Sequence, residues 1–116
     1  MSFRDEVDRL NARFIAAMER NDAAGACADA YHDDAILMAG PEPMRGRAAI
    51  TAAIAGARNA GTVIKGITTL TAEADGAIGY TVATVDTNTG QGIMLLALKR
   101  DGTGAWKISA EAYFAK

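Results

Sequence analysis

The sequence has little of several things, and each shortage narrows what the chain can be. Among its 116 residues there is one cysteine, Cys27, which excludes an intrachain disulfide. No apolar stretch reaches about 18 residues, so the sequence contains no candidate membrane-spanning helix. The formal net charge is only −2 and no basic cluster stands out, which argues against a nucleic-acid partner.

Sequence motifs for common cofactors are also missing. The chain contains no glycine-rich phosphate loop and no CxxC, HExxH or GxSxG motif. Nucleotide binding, zinc proteolysis and α/β-hydrolase chemistry therefore have no support, and we expect no cofactor and no metal. The segment Met1 to Glu6 lacks the cationic start and apolar run of a signal peptide, and a lone cysteine suits a reducing compartment, so we expect a cytoplasmic protein.

What the sequence does contain is typical of a globular domain. Half of the residues are hydrophobic and 22% are charged, which separates the chain from disordered sequences. Its length suits one domain, and no repeat or linker divides it. We therefore treat residues 1–116 as a single domain.

Helical periodicity occupies the first half. Val7, Leu10, Phe14 and Met18 recur at three- and four-residue steps, which predicts a helix over 3–20. Further helices are expected over 23–31 and 47–57. A short apolar run over 35–39 is typical of a strand.

After Gly61 the period changes to two, and glycine-containing turns separate four segments rich in Thr, Val and Ile. Strands are expected over 62–74, 77–87, 92–100 and 106–114. Helices followed by a strand meander predict the α+β class.

One of these strands is apolar without interruption from Ile93 to Leu98. A half-exposed antiparallel strand alternates instead, so both of its faces are expected to be covered. Three short helices cover only one face of a sheet. We therefore expect a homodimer through the open face, and the residues assigned to it are Met94, Leu96, Leu98 and Tyr113; the alternative is burial within a curled sheet.

The order of several short motifs resembles a known family. Phe14-Ile15 and Asn21-Asp22 are followed by Tyr31-His32-Asp33-Asp34-Ala35, then Gly46-Arg47, and finally Asp101-Gly102 and Trp106-Lys107-Ile108. This pattern, over about residues 5–114, resembles the SnoaL-like and ketosteroid isomerase-like branch of the nuclear transport factor 2-like superfamily. The resemblance implies a cone-shaped, curled antiparallel sheet that three N-terminal helices close on its concave side, around an elongated pocket. It also implies a small-molecule pocket protein, with isomerase-, cyclase- or dehydratase-type proton transfer on an apolar or carbonyl-bearing ligand.

The residues that steroid isomerases of this family use are absent here. The family's tyrosine donor matches Phe14, its aspartate base matches Ala39, and its protonated aspartic acid falls near 95–97. None of these positions carries an ionisable group, so the usual steroid isomerase mechanism is not expected.

Two other residues are candidates for acid–base chemistry. Asp86 follows Tyr80, Val82 and Thr84 at a spacing of two, which places it at the pocket mouth if that face is concave; a solvated turn residue is the alternative. His32 is the only histidine, and its alternative role is structural, at a helix end. Strict alternation from Trp106 places Glu111 on the dimer side.

The residues expected to line the pocket are apolar and flexible in shape, since methionine adapts to irregular ligands. They are Phe14, Met18, Met38, Met44, Ile54 and Trp106. Ordinary core packing is the alternative for each. Three functions stay open: an enzyme with few polar groups, a binding module for a hydrophobic ligand, and a dimeric association domain whose sheet is the useful surface.

Overall fold

A computed structural model describes residues 1–116 and contains three helices and one six-stranded sheet. The elements are α1 (Phe3–Glu19), α2 (Ala23–Ala30), β1 (Tyr31–Met38), β2 (Met44–Arg45), α3 (Arg47–Asn59), β3 (Ile64–Asp75), β4 (Ile78–Thr87), β5 (Gly90–Arg100) and β6 (Trp106–Ala115). The α+β prediction is confirmed. None of the three helices has the length and apolar character needed to cross a bilayer.

The first two helices begin where the sequence supplies a capping side chain. The Ser2 hydroxyl accepts the backbone N–H of Asp5 at 3.1 Å, and the Asp22 carboxylate accepts that of Gly25 at 2.9 Å. Such caps satisfy amide groups that a helix leaves without internal partners. The two helices are therefore fixed at their starts, and their apolar sides pack on the sheet.

The strand order is β2-β1-β6-β5-β4-β3. Neighbouring strands pair antiparallel except β1 and β6, which run parallel. The sheet is therefore mixed, whereas a wholly antiparallel sheet was expected. The difference arises because β1 enters the sheet beside the last strand of the meander and not beside the next strand in sequence. The two edges, β2 and β3, do not meet, and the sheet stays open.

The expected boundaries differ most around β1. Residues 31–34 were expected at the end of α2, yet Tyr31 already pairs with Ile108 of β6. Its carbonyl accepts a bond from Arg47 Nη1 at 3.3 Å, which draws it away from the helix. The strand β2 has only two residues, which is too short to show a periodicity, and it was not predicted.

The two faces of the sheet have different surroundings. The inner face packs under the helices, and β5 contributes Met94, Leu96 and Leu98 to that core. The outer face is open, and the same strand presents Ile93 and Leu95 there, 37% and 44% exposed. The assignment of Met94, Leu96, Leu98 and Tyr113 to the open face is therefore corrected, because all four lie on the inner face.

Three residues interrupt the pairing of the meander. Lys65 and Leu70 in β3, and Ser109 in β6, have no partner in the otherwise regular register. A β-bulge of this kind bends its strand and increases the local twist. The bulge at Ser109 also decides which side chains of β6 face inward.

Candidate functional site

A cavity of about 580 Å³ lies between α1, α3 and the inner face of the sheet. This size is typical of pockets for small molecules. Of its 28 lining residues, 21 are hydrophobic, which favours an apolar occupant. Four of the six residues expected to line a pocket do so, namely Phe14, Met18, Met44 and Ile54.

The other two expected pocket residues lie elsewhere. Met38 is 51% exposed on the outer face, where it pairs in register with Ala112. Trp106 is buried at the far end of β6; its ring centroid lies 4.6 Å from that of Phe3, and its indole N–H donates to Glu6 at 3.1 Å. Their assignment to the pocket is corrected, since strand phase and helix packing take each away from the cavity.

The single carboxyl group deep in the wall is Glu111, which strict alternation along the strand had placed on the outer face. Ile108 pairs with Leu98 and Ala110 with Ala97, so Ser109 is left as an extra residue. After this bulge the odd-numbered positions face inward. Glu111 is therefore a cavity residue and not an interface residue.

The neighbours of Glu111 remove it from water. In the sheet it sits between Leu96 of β5 and Leu37 of β1, and its residue is only 8% exposed. Burial raises the pKa of its carboxyl from 4.5 to about 7, against the lowering effect of a hydrogen bond from Tyr31. Near neutral pH this carboxyl is therefore able both to hold and to release a proton.

Tyr31 is the partner of that carboxyl. Its hydroxyl donates to Glu111 Oε1 at 2.6 Å, and both residues line the cavity. Burial, followed by the nearby charge of Glu111, raises the pKa of the Tyr31 hydroxyl well above its usual value. Tyr31 thus remains a donor throughout the physiological range and holds the carboxyl in one orientation.

A second polar group in the wall has no partner at all. Asn11 on α1 is 7% exposed, and its Nδ2 makes no hydrogen bond within the protein. A buried polar group left in this state costs about 1–3 kcal/mol. The apolar neighbours on the same helix, Val7 and Leu10, show the residue type that stability alone favours at this face.

The open end of the cavity is marked by its exposed lining residues. They lie at the ends of α1 and α3, after β1, before β3, in the β4–β5 turn and at the end of β6, and are Glu19, Ala39, Ala57, Val63, Thr89 and Ala115. The one cation among the lining residues is Arg58, whose Nε donates to the Met18 carbonyl at 2.8 Å. Arg58 thus ties the end of α1 to α3 at this opening.

The two catalytic candidates from the sequence do not meet at this cavity. Asp86 is exposed on the outer face, and its Oδ1 accepts a bond from Gln91 at 3.0 Å. His32 Nε2 lies 3.2 Å from the Lys99 carbonyl, and neither residue lines the cavity. Their catalytic role stays a prediction, and this cavity lends it no support. No group of three or more His, Cys, Asp or Glu side chains is arranged to hold a metal ion.

Cys27 is packed behind the cavity wall. Its side chain is fully buried, and burial raises the pKa of the thiol, so it stays protonated and unreactive. The interpretation of Cys27 as a small buried hydrophobe agrees with this packing.

Comparison with known proteins identifies the fold. No protein-family model matches the chain, and no curated protein is similar to it in sequence. Among solved structures, a domain of unknown function with a cystatin-like fold from Nostoc punctiforme has a TM-score of 0.81 at 15% identity and covers 100% of this chain and 80% of its own. An NTF2-like protein from Novosphingobium aromaticivorans has a TM-score of 0.70 at 19% identity, with 97% and 80% covered. A ketosteroid isomerase-like protein from Erwinia carotovora has a TM-score of 0.64 at 18% identity, with 92% and 91% covered. The chain therefore has the cystatin-like fold of NTF2-like proteins, as the sequence resemblance predicted.

Proposed function

We propose that this protein binds a small apolar molecule in its cavity and transfers a proton to or from it through Glu111. The observation that carries the proposal is a carboxyl held inside an apolar cavity, with a pKa near 7 and a fixed hydrogen-bond partner. A general acid or base works best when its pKa lies near the working pH. The reaction type that fits is proton transfer at a carbon beside a carbonyl group, the chemistry of isomerases and dehydratases.

Exchange of the α-protons of 2-decalone in D₂O, followed by NMR, tests this proposal. The ketone is bicyclic and apolar, and abstraction of an α-proton needs the ionised form of Glu111. We expect the protein-dependent rate to rise with pH and to level off above about pH 7. Glu111→Gln keeps the shape and removes the base, so it is expected to lower the rate by a factor of roughly 10²–10⁴.

Two further variants sharpen the result. Tyr31→Phe removes the hydrogen bond that lowers the pKa of Glu111, so the midpoint of the pH profile is expected to move upward. Asp86→Asn removes the exposed carboxylate that the sequence suggested and is expected to leave the rate unchanged. An unchanged rate in Glu111→Gln removes Glu111 from the proposed role, and a large loss in Asp86→Asn transfers that role to Asp86.

The alternative is a binding module without catalysis, which the large apolar share of the lining favours. On this alternative the protein binds 2-decalone but does not accelerate exchange of the ketone's α-protons. The Glu111→Gln variant is then expected to bind 2-decalone with the same affinity as the parent. Native mass spectrometry of freshly purified protein supplies a second measurement, because a retained apolar metabolite supports the cavity as a binding site. The two functions are thus separated by turnover and not by affinity.

We also propose a homodimer through the outer face of the sheet. The strand register aligns Val82, Leu95, Ala112 and Met38 as one apolar row across four strands. The neighbouring row on one side contains Ile93 and Phe114. The neighbouring row on the other side contains Tyr80, Ala97, Ala110 and Ile36. These three rows, the outer apolar patch, contain no charged residue on the four central strands. Glu73 and Arg45 stand at the two ends of the last row, and their opposite signs allow two copies to meet without net repulsion.

Sedimentation velocity tests the dimer. Leu95→Lys places a charge at the centre of the outer apolar patch, and we expect it to convert a dimer into a monomer. Val63→Lys is the matched control, since Val63 is also exposed and apolar but lies at the cavity opening. A parent protein that is monomeric at micromolar concentration contradicts the proposal.

The state of the single thiol bears on the compartment. Cys27 is free and buried, and no disulfide stabilises the fold. Domains of this kind suit a reducing environment, where thiols persist. On this ground we infer that the protein works in the cytoplasm.

A further inference from the structure

The unpartnered amide of Asn11 is a polar group that the proposed proton transfer does not use. It lies in the wall between the main cavity and a smaller one between α1 and β3, and it lines both. More than nine-tenths of the residue is buried. Buried amides in folded proteins are nearly always hydrogen-bonded, so this one implies a partner that is not part of the chain.

The polar residues of the smaller cavity do not supply that partner. The Thr69 hydroxyl donates to Asp8 Oδ1 at 2.7 Å, and the Thr69 carbonyl accepts a bond from Arg4 at 2.5 Å. These three residues line the smaller cavity together with Asn11 and are bonded to one another. None of their oxygens accepts a bond from the Asn11 amide, which also borders the main cavity, where a bound molecule can supply the acceptor.

The charges around the main cavity restrict what that acceptor is. Its acidic and basic lining residues are Glu19, Glu111 and Arg58. Arg58 already donates to the Met18 carbonyl at the opening. An anionic ligand would face two carboxyl groups, whereas an uncharged oxygen faces none of this repulsion.

We propose that Asn11 is a ligand-binding residue that donates a hydrogen bond to an uncharged carbonyl oxygen of the molecule in the main cavity. This inference rests on the proposed function, and it names the substrate class as apolar ketones, aldehydes or lactones. Asn11 then selects the ligand by its oxygen, while Glu111 handles a proton on a neighbouring carbon. A site that hydrogen-bonds an oxygen discriminates against the analogue that lacks it, because its own polar group is otherwise left unpaired.

A matched pair of probes tests Asn11 separately from Glu111. The probes are 2-acetylnaphthalene and 2-ethylnaphthalene, which share the ring system and differ in the carbonyl oxygen. Their affinities are measured by NMR titration of the parent protein and of Asn11→Leu, whose side chain has nearly the same shape. We expect the parent to bind the ketone about tenfold more tightly than the hydrocarbon, and Asn11→Leu to bind both equally.

Stability supplies the second readout. Without an internal partner for the amide, Asn11→Leu is expected to unfold at a higher urea concentration than the parent. A lower midpoint would mean that the amide has a structural partner, and it would overturn the inference. Asn11→Ala, which adds no bulk, repeats the affinity measurements if leucine prevents folding.

The possible failures are distinguishable. If the parent binds both probes equally and Asn11→Leu changes neither affinity, the role of Asn11 is refuted while the cavity and Glu111 are unaffected. If neither probe binds at millimolar concentration, the proposed function fails and this inference fails with it. If Asn11→Leu weakens both probes to the same extent, the residue shapes the cavity and does not recognise the oxygen, which also overturns the inference.

Discussion

Replacing Glu111 with glutamine should change how the stability of the protein depends on pH. The carboxyl has a pKa of about 7 in the folded chain, against 4.5 for an unperturbed glutamate. Folded Glu111 therefore holds its proton more tightly than the unfolded residue does. Below pH 4.5 both states are protonated and the group has no effect on stability.

Above pH 4.5 the unfolded chain releases this proton while the folded chain keeps it. The free energy of unfolding then falls as the pH rises, and the fall ends near pH 7, where the folded carboxyl ionises too. At about 1.4 kcal/mol per pH unit, the interval between 4.5 and about 7 amounts to about 3 kcal/mol. Glu111→Gln removes the effect, so its stability relative to the parent should rise by that amount between pH 4.5 and pH 8.

Urea unfolding at a series of pH values measures this difference. Subtracting the parent from the variant cancels the other titrating groups. Thr81→Val is the matched control, since Thr81 occupies the same row of the inner face, joined to Glu111 through Leu96, and carries no charge. Its curve should be shifted vertically with no change of slope. Parallel curves for parent and Glu111→Gln from pH 4.5 to pH 8 would refute the buried, proton-holding state of Glu111.

Three other changes have defined outcomes. The Cys27 thiol should react with a thiol reagent only after denaturation, since it is fully buried and its pKa is raised; rapid reaction of the folded protein contradicts the packing. Thr81→Val should raise the free energy of unfolding by about 1 kcal/mol in urea titrations, because the buried hydroxyl has no partner; a loss of stability would reveal one. Gly92→Ala should lower it by about 1–3 kcal/mol, because the added methyl group collides with the ring of Tyr113. The control for this last change is Gly56→Ala on α3, where the added group meets nothing, and it should stabilise by about 0.5–1 kcal/mol.

The helical part of the site was predictable because α-helix phase is regular. The apolar stripe of α1 placed Phe14 and Met18 on the cavity side, and the structure agrees. The same stripe contains Asn11, but a polar residue within it gives no sign of being unpartnered. That property depends on what the neighbouring strand offers, and the sequence does not carry it.

Five of the six strands were predictable in approximate extent, but the two-residue β2 was not, and neither was the direction of every side chain. The apolar run from Ile93 to Leu98 predicted that both faces of β5 are covered; the inner face is covered by the helices, and cover of the outer face by a second copy stays a prediction. It gave no means of deciding which residues lie under the helices, because each face of the strand has the same chemistry. The wrong set was therefore assigned to the open face.

Glu111 was misplaced for a different reason. Strict alternation from Trp106 points Glu111 outward, and nothing in the sequence around Ser109 indicates a bulge there. The only sequence signal was an acid between two alanines in the otherwise apolar second half of the strand, residues 110–115. Such a residue is a candidate for the cavity whenever the phase of its strand is open to question.

Because of the bulge at Ser109, the polar groups that face this cavity depend on the register of β6 as much as on residue identity. If Ser109 were paired in the regular register instead of bulged, strict alternation would turn Ala110 and Ala112 inward and Glu111 out to the open face. A chamber with a buried acid and one without it are thus separated by the pairing of a single residue, with no substitution at any cavity position. Column-by-column comparison of proteins with this fold will misassign their polar groups unless the bulges are aligned first.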